Sequence, residues 1–241
     1  MAVSKNGTRS RDGLGEGAPI VLVHGGLGDG EVSWFFMLPF LVEHFTCFLM
    51  STRGRGLSGD TAVHSRERQF EDVAAFVESI GEPIGVFGHS SGAVWALSGA
   101  AISPAHVRAL ALYEPLFPAL EPPMSDEQYE RVRAAITEGR LADAVQITTG
   151  EIVGLSAEEQ ALFSAPDVAE RAQAALPVVV QELPEVNRPS RTLCSRSSRC
   201  GCSLSSGSVR VSSSSMLRAT SASGSPTPAS LRSPPLATLA R

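Results

Sequence analysis

The chain has 241 residues, 43% of them hydrophobic, with a mean hydropathy of +0.06 and a net charge of −5; that suits one α/β domain with its own core, and no stretch approaches a membrane span. No N-terminal apolar segment resembles a secretory signal, so a cytoplasmic location is expected, and Cys47, Cys194, Cys200 and Cys202 fit neither a disulfide framework nor a paired zinc site. Residues 190–241 hold seven arginines and no acid, which leaves −12 on residues 1–189, so the two parts are read separately.

Residues 1–18 are polar and glycine-rich, and Asn6-Gly7 predicts at most a frayed edge hairpin. Residues 19–23 are an apolar, β-branched run without alternation, the pattern of a strand covered on both faces. The run ends in His24-Gly25-Gly26-Leu27-Gly28-Asp29-Gly30, a loop whose backbone N–H groups can lie open to a ligand. Trp34, Phe35, Leu38 and Leu41 are helically spaced and predict a helix over 31–45, interrupted near Pro39. A strand follows at 46–50, then Arg53-Gly54-Arg55-Gly56-Leu57-Ser58. Phe70, Val73, Ala74, Val77 and Ile80 share one face of a helix over 67–80, capped by Ser65 and ended by Gly81.

Residues 84–92 read Ile-Gly-Val-Phe-Gly-His-Ser-Ser-Gly, a short β-rich run meeting the pattern G-x-S-x-G, and a proline-free Ala/Leu/Trp-rich stretch follows. Strand, sharp turn and helix in that order hold the apex residue, Ser90, in a strained conformation that projects its side chain. The functional reading makes Ser90 a nucleophile that attacks a carbonyl carbon once a base takes its proton. The bland alternative is a tight turn that happens to contain serines; the flanking pattern favours the nucleophile.

Residues 107–113 form a further strand, and the alternation of strand and helix to this point argues for a mostly parallel sheet. From Pro115 the alternation stops. Ser125-x-x-Gln128 opens a helix that Gly139 closes, Ser156-x-x-Glu159 opens another, and 140–149 and 167–176 add helical stretches. Residues 115–188 are therefore read as a helical cap inserted after the sheet portion, 1–114, with a plain helical subdomain as the alternative. Residues 189–241 form a Ser/Arg/Pro-rich tail; from 190 on it lacks Asp, Glu, Lys, Ile and every aromatic, no strand or helix period survives, and disorder is expected.

Residues 19–26, 53–58, 88–92 and 107–115, taken as an ordered set, resemble the α/β-hydrolase superfamily, in its branch of small bacterial serine hydrolases. The resemblance spans roughly residues 5 to 188. It implies an α/β-hydrolase fold with a helical cap, a Ser/His/acid triad, a small-molecule substrate and no metal or organic cofactor. Carried over by position, Ser90 is the nucleophile, the Ser91 and Gly26 amides are the oxyanion donors, and Glu114 is a candidate triad acid. For Glu114 the alternative is a helix-capping or salt-bridged glutamate. Ser51 stands where the family often has an aspartate outside the triad.

The departure that matters is histidine. The family places its catalytic histidine near the C-terminus, whereas the last of the five here is His106. Seven strand residues at about 3.3 Å each put His106 roughly 20 Å from the elbow's end of the sheet. His44 precedes a strand as well, and His24 and His89 lie inside motifs that use them for packing. His64 sits on a loop that can reach the correct face. The tail occupies the place of the remaining strands, and its composition is that of an out-of-frame peptide from a GC-rich gene.

Two functions follow. One is hydrolysis of a small ester or related carbonyl compound, impaired by the missing histidine; the other is a non-catalytic, degenerate hydrolase that at most binds a ligand. The acidic body argues against a nucleic-acid partner, and a tail that binds RNA ranks below both, because its arginines are sparse and no aromatic residue interleaves them.

Overall fold

The computed structural model describes residues 9–10, 13–61, 64–116, 124–186 and 209–212. Strands β1 (Arg9–Ser10), β2 (Ala18–Val23), β3 (Phe45–Ser51), β4 (Ile84–His89), β5 (Val107–Tyr113) and β6 (Val209–Ser212) form one sheet in the order β1-β3-β2-β4-β5-β6. The four central strands, β3-β2-β4-β5, are parallel, and β1 and β6 pair antiparallel at the two edges. Asn6-Gly7 lies outside the described residues.

Strand β2 shows why its sequence does not alternate. Val21 and Val23 point into a core with Phe70, Val73, Phe76 and Val94, while Leu22 joins Trp34, Cys47 and Leu49 on the opposite face. Both faces are covered, so both sets of side chains must be apolar. Helix α2 (Arg66–Ile80) packs on the first face, its N-terminus capped by Ser65 Oγ, which accepts from Arg68 N, and its end turned by Gly81 at φ 86°. Helix α3 (Ser91–Ile102) lies between α2 and the sheet, which accounts for its nearly uniform apolarity.

Three expectations change. The helix predicted over 31–45 is a 3₁₀ turn at Val32–Trp34 followed by the short α1 (Leu38–Leu41). Asp29 Oδ1 accepts from the N–H groups of Glu31 and Val32, and Pro39 stands in the first turn of α1, so the segment folds as two pieces. The helix expected to stop at Leu176 runs on as α7 (Pro166–Val186) through Pro177 and Pro184. Burial of Ala172, Ala175, Leu176, Val178 and Val179 offsets the backbone bonds that the prolines remove. The tail, read as lacking any strand, supplies β6, whose Val209 to Ser212 pair with Leu112 to Ala109. The unpaired edge of β5 is thereby covered, as an apolar edge strand requires.

Helices α4 (Asp126–Thr137), α5 (Leu141–Gln146), α6 (Ala157–Leu162) and α7 follow β5 in sequence, with a π-helical turn at Ile147–Ile152. Both predicted capping boxes form, Ser125 with Gln128 and Ser156 with Glu159. Val132, Ala135, Ala144, Val145, Ala172 and Leu176 make a second core, against which Leu27 of the glycine-rich loop packs. Arg171 ties α7 to that loop, donating to Asp29 Oδ2 at 2.6 Å and Glu31 Oε2 at 3.0 Å.

Candidate active site

Ser90 stands between β4 and α3 with φ 56° and ψ −125°, one of two described non-glycine residues with positive φ. Its N–H donates to the Tyr113 carbonyl at 2.9 Å, and its own carbonyl accepts from Ala93 N at 3.0 Å, so neighbouring strand and helix hold the strained residue in place. The two motif glycines are forced by close approach. A Cβ at Gly92 would lie 2.2 Å from the His24 carbonyl oxygen, and one at Gly88 would lie 2.6 Å from Ala93 Cα.

Beside the elbow runs the His24–Gly30 loop. His24 is fully buried; its Nε2 accepts from Thr52 N–H at 3.1 Å, which leaves Nδ1 as the donor to the Gly25 carbonyl at 2.7 Å. Burial, reinforced by the nearby Arg55 charge, lowers its pKa to about 4, so the ring is neutral near pH 7. Because the peptide is planar and trans, a Gly25 carbonyl turned toward His24 turns the Gly26 N–H the other way. A Cβ at Gly25 would lie 3.1 Å from Ser90 Cβ, and one at Gly26 would lie 3.9 Å from Ser91 Oγ, so this face of the loop abuts the elbow. Ser91 is the first residue of α3, where backbone N–H groups have no helical acceptor.

Arg55 connects this loop to α7. Its Nε donates to the Gly26 carbonyl at 3.0 Å, its Nη1 to Thr52 Oγ1 at 3.1 Å, and its Nη1 and Nη2 to the two oxygens of Glu182 at 3.2 and 2.5 Å. The guanidinium carbon also lies 5.7 Å from the Trp95 ring centre. Glu182 accepts a third contact from Gln69 Nε2. Glu182, Gln69, Ser91, Trp95 and Leu116 line a narrow cleft. Sequence reading missed Glu182 and Gln69, for neither belongs to a local motif. Arg53, in the same loop as Arg55, pairs with Asp72, donating from Nε and Nη2 at 2.7 Å each.

Glu114 follows β5 directly, and because His89 pairs with Tyr113 in the β4–β5 register, it lies at the elbow's end of the sheet. It is exposed, has φ 47°, and makes no hydrogen bond among the described residues; its charge opposes the lowering of the His89 pKa by burial. Among the described residues no histidine hydrogen-bonds to Ser90 Oγ. His89 stacks on Tyr113 with ring centres 5.5 Å apart, and His106, at the other end of β5, bonds to Ser103 Oγ at 2.9 Å. His44 is exposed at the start of β3. His64 is buried, with Nε2 2.7 Å from Asp60 Oδ1 and Nδ1 unpaired among the described residues. No group of three or more metal-ligating side chains occurs among the described residues.

A family model described as the alpha/beta hydrolase family matches residues 20–235. The chain belongs to the alpha/beta hydrolase family. Over 119 residues it is 32% identical to N-formylmaleamate deformylase of Pseudomonas putida; that alignment covers 47% of this chain and 44% of the relative, so it spans less than half of that enzyme. Among solved structures, an alpha/beta hydrolase from Sphaerobacter thermophilus matches with 31% identity and a TM-score of 0.64, covering 80% of this chain and 77% of the other. An esterase from Exiguobacterium antarcticum, at 17% identity, TM-score 0.63 and coverage of 79% and 75%, shares the fold. No helix among the described residues is long and apolar enough to cross a membrane.

Proposed function

We propose that this chain carries the site of a serine hydrolase acting on a small ester or related carbonyl substrate, with Ser90 as nucleophile. The observation that carries the reading is the strained Ser90 backbone, φ 56°, at a strand-to-helix apex abutting a glycine loop. Ser90 Oγ attacks the carbonyl carbon, and the Gly26 and Ser91 N–H groups hold the oxyanion. Among the described residues no histidine is placed to take the Ser90 proton and return it to the leaving group, so the activity is impaired in this chain by the missing C-terminal histidine. Glu114 is the candidate acid that orients the histidine. Helices α4–α7 serve as the lid, anchored through Glu182 and Arg171. The reaction needs no metal or organic cofactor, the partner is a small molecule rather than nucleic acid or membrane, and the setting is the cytoplasm. Deformylase and esterase relatives fit acyl-type chemistry, since both cleave bonds to a carbonyl carbon.

The absence of a hydrogen bond between Ser90 and any described histidine favours a second reading, a non-catalytic relative that binds a ligand. A fluorophosphonate probe separates the two, because it labels only an activated serine. Labelling abolished by Ser90→Ala supports the hydrolase; no labelling, even in a version with the downstream reading frame restored, supports the ligand-binding protein.

A further inference from the structure

The exposed large hydrophobic side chains are unevenly distributed. Leu57, Ile102, Tyr113, Val153 and Leu162 stand singly along the chain, whereas Phe35, Phe36, Met37 and Phe40 fall within six consecutive positions, and the three phenylalanines are 70%, 70% and 72% exposed. Single exposed apolar residues are ordinary, but a cluster marks a contact surface. The Phe35 and Phe36 rings meet edge to face with centres 5.4 Å apart. The Phe40 N–H donates to the Met37 carbonyl at 3.1 Å, so the backbone turns helically and brings Phe36, Met37 and Phe40 together on one turn. All eleven residues from Val32 to Val42 are uncharged, and Glu31 and Glu43 bound them. Beside the rings lies an open groove of about 630 Å³, whose lining includes Leu14, Phe35, Leu38, Pro39, Val42 and Leu49.

The area decides what covers this face. An aromatic side chain offers roughly 150–250 Å², so at these exposures the three rings and Met37 present on the order of 500 Å², the upper end of what a monomer leaves to water. Two such patches face to face bury about 1,000 Å², which reaches the size of a specific interface. Rings and groove lie side by side and share Phe35. That arrangement suits a twofold pairing, in which the rings of each copy enter the groove of the other and neither patch is left open. The uncharged stretch supplies the apolar centre of such an interface, and Glu31 and Glu43 supply its polar rim. We propose that the face carrying Phe35, Phe36, Met37 and Phe40 is the interface of a homodimer, its partner a second copy of this chain. The pairing is independent of the role of Ser90.

Sedimentation equilibrium of the full chain over about 1–100 μM tests it. An interface at the small end of the specific range predicts a dissociation constant on the order of 10 μM, with the mass rising from the 25.3 kDa of one chain to twice that and no further. Phe36→Glu together with Phe40→Glu sets charges in the apolar centre and is expected to weaken the dimer at least tenfold. Leu162→Glu, at another exposed apolar position on α6, is expected to leave it unchanged. Should the double variant fail to fold, Phe36→Ser carries the same comparison with a smaller loss. Salt separates this dimer from attachment of the arginine-rich residues 190–241 of one copy to the acidic residues 1–189 of another: about 0.5 M NaCl screens the charged association and preserves the apolar one. A chain that stays monomeric at about 100 μM, growth beyond two copies, an association unchanged by the double substitution, or one that salt dissolves overturns the proposal. In a monomer, a fall in the urea midpoint on Phe40→Glu would identify a segment of the same chain as the cover.

Discussion

Glu182 and Arg55, 127 positions apart in the sequence, form a two-pronged ion pair whose closer contact is 2.5 Å, with the Arg55 side chain 1% exposed and that of Glu182 11% exposed. The same guanidinium holds the Gly26 carbonyl, so α7 and the glycine-rich loop share one buried cation. Replacing Glu182 by Ala strands that charge, and unfolding in urea is expected to show a loss of about 3 kcal/mol. Glu182→Gln keeps two polar atoms near Arg55 and loses less. Equal losses in both variants would mean that packing, and not charge, fixes α7 at this point.

Ser90 supplies a second prediction. Its φ of 56° and ψ of −125° are costly for any residue with a Cβ, and Ser90→Ala keeps that cost whereas Ser90→Gly releases it. The glycine variant is expected to be more stable than the alanine variant by about 1 kcal/mol, measured by denaturant midpoint. Alanine matching or exceeding glycine would mean that the elbow carries no backbone strain.

The buried His24 makes stability depend on pH. Its pKa in the folded protein, about 4, lies below the 6.5 of an unfolded histidine, so the unfolded chain takes up the proton first as pH falls. The stabilisation is complete above pH 6.5 and is lost progressively toward pH 4, by about 2 kcal/mol at pH 5 and on the order of 3 kcal/mol in full. His89, whose pKa burial also lowers, adds a loss of the same sign. Urea unfolding at pH 7.5 and pH 5 measures it, and His24→Gln, which has no ring to protonate, is expected to show a shallower dependence. An unchanged slope would place the titrating group elsewhere.

The composition of the tail predicts something about the gene. One of the two other reading frames downstream of codon 189 is expected to encode an apolar strand and, later, a Gly-x-Gly-His-like segment. Translating both frames checks this, and finding neither feature in either frame rejects the out-of-frame account of the tail.

What could be read from the sequence was what local chemistry controls. The run from Val21 to Val23, the Ser65 cap, the two capping boxes and the Gly88–Gly92 elbow each depend on neighbours a few residues away, and each formed in place. Long-range packing hid the rest. Pro177 reads as a helix end until the buried faces of Leu176, Val178 and Val179 are known to outweigh it. Glu182 and Gln69 carry no motif, and only the docking of α7 on α2 and the Arg55 loop brings them to the cleft beside Ser91. Four residues of β6 pair with β5, although their alternation, Val-Arg-Val-Ser, is too short to stand out in a serine-rich tail.

The most direct test is hydrolysis of p-nitrophenyl acetate and butyrate by three proteins: this chain, a version with the downstream frame restored, and that version carrying Ser90→Ala. The account predicts turnover in the restored protein alone, with the chain as it stands and the alanine variant both near background. Turnover by the restored protein that survives Ser90→Ala would contradict the assignment of the nucleophile. Turnover by the present chain that is lost in its own Ser90→Ala variant would show that one of the five histidines already serves as the base.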